Sequence, residues 1–373
     1  MQKLQNINLN KLKELLNVER NRKIQIILTA LLVLIIFSIS VYTYYKMRLN
    51  KLNCENLSKV YDTVPKLTSI VNSDQCSHPL RDFYVKTAYN CCCAGQFKND
   101  FVNLCALTTC IQQGARCLDF EIYSINNKPV VAAASINDYT VKETYNSIPI
   151  ADVFNVIQNI AFSSSTPAYN DPLILHFRIM SNNIAMYDEF ANIISSQLND
   201  RILDKNYLYE YQGQNLGKDS ISKFAGKIII IVDSTNSTYK KTKLEEYINI
   251  TSGSPFMHIL RYDNVKYTQD LTLTNYNKKQ MSIVIPDLSS TNKNPNFNIA
   301  REYGCQFIAM SFQNYDSNLE YYNAFFDKEK SAFVLKPEKL RYVPVTIPQP
   351  NPPPKEYSYE TRVLKTDYYN YNI

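Results

Sequence analysis

Residues 86–96 read KTAYNCCCAGQ, and the consecutive Cys91, Cys92 and Cys93 are the first candidates for chemistry. Eight of the nine cysteines (Cys54, Cys76, Cys91, Cys92, Cys93, Cys105, Cys110, Cys117) lie between positions 54 and 117, and Cys305 stands apart. A structural zinc site wants paired spacings such as Cys-x2-Cys with a second pair or histidines. Cys105, Cys110 and Cys117 are spaced too widely for that pattern. A cysteine nucleophile needs a base, and none of the three histidines, His78, His176 and His258, is well placed to serve one. Two readings stay open: disulfides, if the domain faces an oxidising compartment, or buried thiols acting as small hydrophobes.

The strongest single element is RKIQIILTALLVLIIFSISVYTYYKMR. From Ile24 to Tyr45 it carries no charge, and a helix of that length spans a hydrocarbon core of roughly 30 Å. Tyr42, Tyr44 and Tyr45 fall where an aromatic belt belongs, with Lys46 and Arg48 beyond them. No small-x-small cleavage site follows, so the stretch reads as a signal anchor and not a removed leader. Lys11, Lys13, Arg20, Arg22 and Lys23 on one side slightly outweigh Lys46, Arg48, Lys51 and Lys59 on the other. That bias favours a cytosolic N-terminus, hence a single-pass type II protein with its large domain on the lumenal or exterior side. Sequons at Asn56, Asn236 and Asn249 agree with that orientation.

The expected organisation is a cytosolic segment 1–23, a transmembrane anchor 24–45, a linker 46–75, a folded unit 76–341 and a tail 342–373. The tail's VPVTIPQPNPPPKEYSYE is too rich in proline for a core and reads as an extended, polyproline-like segment able to recruit a protein partner. A net charge of +6, spread along the chain, gives no patch for nucleic acid. Only 7 glycines against 29 tyrosines, with abundant Asn, Lys and Ile, is the usage of AT-rich coding sequence.

Within 76–341, strand-like and helix-like stretches alternate. RCLDFEIYS, PVVAAA, PLILHFRI, GKIIIIVDS, SIVIPD and CQFIAMSFQN read as strands, and ADVFNVIQNIAF, DEFANIISSQLNDRIL and NLEYYNAFF as helices. Short apolar strands alternating with helices predict an α/β fold with a mainly parallel sheet. A chain segment of this size suits a TIM-type barrel, with an open doubly wound sheet as the alternative. No glycine-rich phosphate loop follows any strand, which disfavours a nucleotide-binding version.

PLRDFYVKTAYN, GARCLDFEIY, NNKPVV and DPLIL, in that order, resemble the X half of the phosphoinositide-specific phospholipase C catalytic barrel. GCQFIAMSFQ followed by FVLKPEKLR is similar to the end of its Y half, including Gly304, Gln306, Ala309, Phe312, Gln313 and Leu335-Lys336-Pro337. The X-like part covers 79–205 and the Y-like part 256–341. The resemblance implies a distorted TIM-type (β/α)8 barrel, here preceded by a single transmembrane helix.

That family's chemistry uses two histidines. One stabilises the pentavalent phosphorane, and the other works as general acid and base on the inositol 2-hydroxyl and the leaving group. A calcium ion is held by an Asn, two acidic residues on one strand and a further Glu. Carried over one position at a time, the first His falls on Tyr89 and the second on Ala133. The calcium-binding Asn is Asn90, and the strand acids are Asp119 and Glu121, which at i and i+2 share one strand face. The last Glu falls on Arg178. The phosphate-gripping lysines fall near Ile231 and Asp233, and the family's Arg-x-Tyr becomes Ile283-Val284-Ile285 before Pro286. His176 is taken as a core or barrel-wall histidine one residue off the functional face, and His78 before Pro79 as a turn residue.

Each acid–base group contributes about 10²- to 10⁴-fold in rate, and both are missing. A phenol of pKa about 10 at Tyr89 is a poor proton shuttle near neutrality. Arg178 in place of a carboxylate changes the local charge by two units, each worth roughly 4 kcal/mol at about 4 Å and a dielectric of about 20. Arg178 is expected to pair with Asp119 or Glu121, with calcium bound only if Asn90, Asp119 and Glu121 still suffice; no other cofactor is implied. The expected function is a membrane-anchored, catalytically inactive phospholipase C-like protein whose partners are the membrane and phosphoinositide head groups. An active phosphatidylinositol-type phosphodiesterase and a structural protein of a viral or organelle membrane are the alternatives. A degenerate, AT-biased copy of a eukaryotic enzyme would suit a large DNA virus.

Overall fold

The computed structural model describes residues 2–136, 141–268, 271–289 and 291–344, together with 351, 354, 357 and 361–372. Residues 1–341 form one unit and 342–373 another.

The chain opens with one unbroken helix, α1 (Gln2–Val60). No glycine or proline occurs before Pro65, so nothing in the sequence interrupts it. The expected linker 46–75 is therefore corrected: its first part is the end of α1, and 3-10 turns at Ile70–Asn72 and Asp74–Ser77 follow. Within the apolar stretch, the Thr29, Ser38 and Ser40 hydroxyls donate to carbonyls four residues back, at 2.8 Å each. Their polar groups are thus satisfied inside the helix. The most apolar window has a mean hydropathy of 2.7 and none of it is buried, so α1 is long and apolar enough to cross a bilayer.

Eight parallel strands follow: β1 (Phe83–Ala88), β2 (Cys117–Ile125), β5 (Leu173–Ile179), β6 (Ile228–Asp233), β7 (Ile250–Ser252), β8 (Met257–Arg261), β9 (Met281–Ile285) and β10 (Phe307–Met310). Between β2 and β5 the chain adds β3 (Lys128–Ala132), antiparallel on β2, and β4 (Ile148–Pro149), antiparallel on β3. Spatial order is β7-β6-β5-β2-β1-β10-β9-β8, a nearly closed barrel. A last strand, β11 (Phe333–Leu335), lies antiparallel on β1.

The barrel ends meet where β7 turns tightly into β8. Gly253 there has φ +87°, and a Cβ would lie 2.5 Å from Ser234 Oγ, so the turn needs glycine. Helices α2 (Leu104–Gln112), α3 (Ile150–Val156) and α4 (Ile184–Leu198) follow β1, β4 and β5. Outward-facing Phe120 and Phe177 stack at 5.7 Å, and Phe177 meets Phe154 of α3 and Phe190 of α4. With helices outside, the inward side chains of β2 and β5 are free to be polar, and they are.

One disulfide, Cys54–Cys105, ties α1 to α2. The other seven cysteines are free thiols, all buried except Cys76. Burial pushes Cys91, Cys92, Cys93 and Cys117 above the ordinary thiol range, so they are inert small hydrophobes. Among the sequons, Asn249 is buried with both amide ends bonded, which removes it as a glycan site; Asn56 is exposed.

Most of the proline-rich stretch lies outside the described residues. The end of the tail departs from an extended segment: Val363–Lys365 and Asn370–Asn372 pair as an antiparallel hairpin.

Cys54→Ser should lower unfolding stability by roughly 2–5 kcal/mol, because the bridge joins positions 51 apart in sequence. Urea titration of the oxidised protein and the variant measures it; superimposable transitions would refute that contribution.

Candidate active site

The inward residues of β2 and β5 are set by register. Asp119 lies opposite His176 and Glu121 opposite Arg178, so all four share one face of the sheet. His176 is thus two residues from Arg178, on the functional face and not one residue off it, which corrects the sequence expectation. Asn90 joins them from the loop after β1, where its φ of +43° is a conformation asparagine tolerates.

Arg178 sits at the centre. Its Nη2 donates to Asp119 Oδ1 (2.7 Å) and Asn90 Oδ1 (2.8 Å), its Nη1 to Glu121 Oε1 (2.7 Å), and its Nε to Asp119 Oδ2 (3.0 Å). The other Glu121 oxygen accepts from the Tyr123 hydroxyl (3.1 Å) and the Ala134 amide (2.9 Å). Asn90 Nδ2 donates to Glu121 Oε1 at 3.3 Å. Every buried polar atom of Asn90, Asp119, Glu121, His176 and Arg178 has a partner.

Burial alone would raise the Asp119 carboxyl, but the Arg178 guanidinium and His176 hold it well below the usual carboxylate range. Burial likewise opposes charge on Arg178, yet Asp119, Tyr89 and Glu121 keep it charged well above its ordinary range. The Tyr89 ring lies 4.7 Å from the guanidinium and meets Phe97 edge-on at 5.6 Å. Burial pushes its phenol up, against the pull of Arg178. At Ala133 there is only a buried methyl group.

Calcium needs oxygen ligands at about 2.3–2.6 Å. The family's ligand positions do not fit it in this chain: Asn90 Oδ1, both Asp119 oxygens and Glu121 Oε1 are taken by Arg178, whose own charge repels a dication.

Above this cluster, at the C-terminal ends of the strands, lies a cavity of about 180 Å³ floored by Arg178 and edged by Asp233, Asn236, Arg261 and Ile285. Its polar groups are largely spent on the protein. Asp233 Oδ1 accepts from the Thr235 amide and hydroxyl, Asn236 Nδ2 donates to two carbonyls, and Arg261 Nη1 donates to the Pro286 carbonyl. Ile231 is buried, and no lysine lines the cavity.

Family models match almost the whole barrel: "Phosphatidylinositol-specific phospholipase C, X domain" over residues 76–233 and the corresponding Y domain over 231–339. The chain belongs to the phosphatidylinositol-specific phospholipase C family. Among solved structures it is similar to PLC21 of L. pealei (TM-score 0.59, 17% identity) and of S. officinalis (TM-score 0.57, 18% identity). These matches cover 74% and 73% of this chain but only 40% and 38% of those proteins. No curated protein sequence matches it.

Two features of this phospholipase C barrel escape the sequence motifs. His176 Nδ1 donates to Asp119 Oδ2 (2.6 Å), since an ionised carboxylate only accepts, while Nε2 shares a hydrogen bond with Ser252 Oγ (2.8 Å). This Ser–His–Asp relay has no exposed surface, so it ties three strands together without presenting a nucleophile. Counting by two from Arg178 would have found His176, but Ser252 sits on a strand too short to recognise. Arg261, at the end of β8, had no motif to mark it.

Arg178→Met should destabilise the barrel by about 3–5 kcal/mol at neutral pH, because it strands two buried carboxylates. The parent should also lose stability as pH falls below about 4: Asp119 is depressed in the folded state, so its contribution is complete above the unfolded carboxyl pKa and lost on acidification. Urea unfolding at stepped pH measures both, and the variant should show a shallower acid loss.

Proposed function

We propose that this chain is a catalytically silent phospholipase C barrel, held at a membrane by α1 and serving as a binding or architectural domain. The observation that carries the reading is the Arg178 guanidinium seated among Asn90, Asp119 and Glu121, with Tyr89 and Ala133 where the resemblance places histidines. The reaction needs a proton acceptor, a proton donor and a concentrated positive charge facing substrate. Here the cation is turned inward and neutralised by its own neighbours, and the one buried histidine is bonded at both nitrogens.

The Cys54–Cys105 bridge supports a barrel on the oxidising side of that membrane, hence the type II arrangement. The family's fold supports a lipid or phosphoinositide partner. Asn264 and the part of the Arg261 guanidinium not bonded to the Pro286 carbonyl line the cavity where a head group would sit.

Phosphatidylinositol vesicles with calcium should yield no inositol phosphate above blank, and calcium should not raise the barrel's Tm. Arg178→Glu restores a third carboxylate and removes the competing cation, so its Tm should rise with calcium. Turnover by the parent that disappears in Asn90→Ala would overturn the proposal.

A further inference from the structure

The contacts of α1 with the barrel follow a strict order. Lys46 Nζ donates to the Asn99 carbonyl (3.0 Å) and lies 5.4 Å from the Tyr145 ring. Next, Asn103 Nδ2 donates to Asn50 Oδ1 (2.9 Å), and Asn53 Nδ2 donates to Asp100 Oδ1 (2.7 Å). Then comes the Cys54–Cys105 bridge, then buried Leu57 against Ala94 and Ala106. Just past the helix, the Tyr61 hydroxyl donates to the Phe312 carbonyl (2.7 Å) and its ring meets Tyr315 at 5.6 Å.

Two loops make the near end of this seam, and they are fastened to each other. The Tyr145 amide donates to the Asp100 carbonyl and the Asn99 amide to the Glu143 carbonyl. Phe101 and Tyr145 rings lie 5.2 Å apart. Tyr145 and Val141 are 45% and 46% exposed; Lys46 lies over the Tyr145 ring, and Lys98 pairs with Glu143 at 3.0 Å. Exposed tyrosine and valine beside lysine is a composition found at bilayer interfaces.

Lys46 immediately follows the uncharged stretch, so once that stretch crosses a bilayer its ammonium lies at the head groups. The loops bonded to it lie at the same level. Tyr61, 15 residues further on, is about 22 Å away along the helix axis. We infer that α1 is a locked strut: it rests the Phe101/Val141/Tyr145 patch on the bilayer its own apolar segment crosses and holds the barrel rim at Phe312 and Tyr315 off the lipid. The inference rests on the proposed membrane-crossing role of α1. It makes orientation a fixed property of the chain and does not depend on what the mouth binds.

The chain contains no tryptophan, so single substitutions give clean reporters. The full chain is placed in phosphatidylcholine–phosphatidylserine vesicles bearing bromine high on the acyl chains, with tryptophan introduced by Tyr145→Trp, Val141→Trp, Tyr315→Trp or Tyr209→Trp. Tyr209 is exposed near the opposite end of the barrel, where the neighbouring Glu210 amide donates to the Ile248 carbonyl just before β7. Emission should fall several-fold at 145 and 141 and stay unchanged at 315 and 209. Reducing the disulfide, or Cys54→Ser, should shrink that contrast. Unquenched 145 and 141 in protein that stays with the vesicles would overturn the patch while leaving the membrane reading intact. Quenching at 315 equal to that at 145 would overturn the stand-off. A chain washed from the vesicles by alkaline carbonate would remove the membrane reading itself.

Discussion

Two carboxylates buried on one strand face must be neutralised, and the interior of this barrel is arranged around that requirement. Asp119 and Glu121 have essentially no exposed surface, and ionised groups in that condition are costly without a partner. A phospholipase C barrel of the resembled type meets the requirement with a bound dication. Here the cation is covalently part of the chain: Arg178, on the neighbouring strand and in register with Glu121, presents its fork to three side chains at once. A planar guanidinium with five donors suits that geometry where lysine would not. His176 and Ser252 extend the network from β2 through β5 to β7, so charge neutralisation also cross-links the barrel.

The exchange has a directional consequence. An external ion can be shared between the protein and a phosphate, because part of its coordination shell is left open. Arg178 gives four hydrogen bonds to its own neighbours and stacks beneath Tyr89, so little of its charge reaches the cavity above. Functional sites commonly sacrifice stability for open, unsatisfied groups, whereas the side chains of this cluster satisfy one another.

Much of the barrel was legible because its signals are local. Nearly all-apolar runs such as PLILHFRI and GKIIIIVDS are strands buried on both faces, and the i, i+2 spacing of Asp119 and Glu121 fixes their common side. The pairing of Arg178 with those acids follows from opposite charges brought together by the X-half motif order. What was not legible depends on distant chain segments. Cys54 pairs with Cys105 and not with any of six nearby thiols, a choice spacing cannot make. Ser252 meets His176 only because a three-residue strand arrives beside β6. The continuation of α1 was a different kind of miss: the absence of any helix breaker before Pro65 was visible, but loss of hydrophobicity after Tyr45 masked it. Leu49 and Leu57, eight residues apart, supply the narrow apolar stripe such a docked helix needs.

That continuity limits how the barrel can move relative to the apolar part of α1. A flexible linker of the expected length would let the barrel sample many orientations, its ends separated by a distance growing only as the square root of residue number. An unbroken helix fastened by a disulfide, three polar contacts from Lys46, Asn50 and Asn53, and buried Leu57 removes that freedom. An enzyme that must find lipid head groups gains from mobility between them, whereas a domain that displays one fixed face gains from rigidity. The charge-sealed interior and the rigid attachment arise from different residues, yet each removes a freedom: the first leaves the buried carboxylates no open valence, and the second leaves the barrel no swing about its helix.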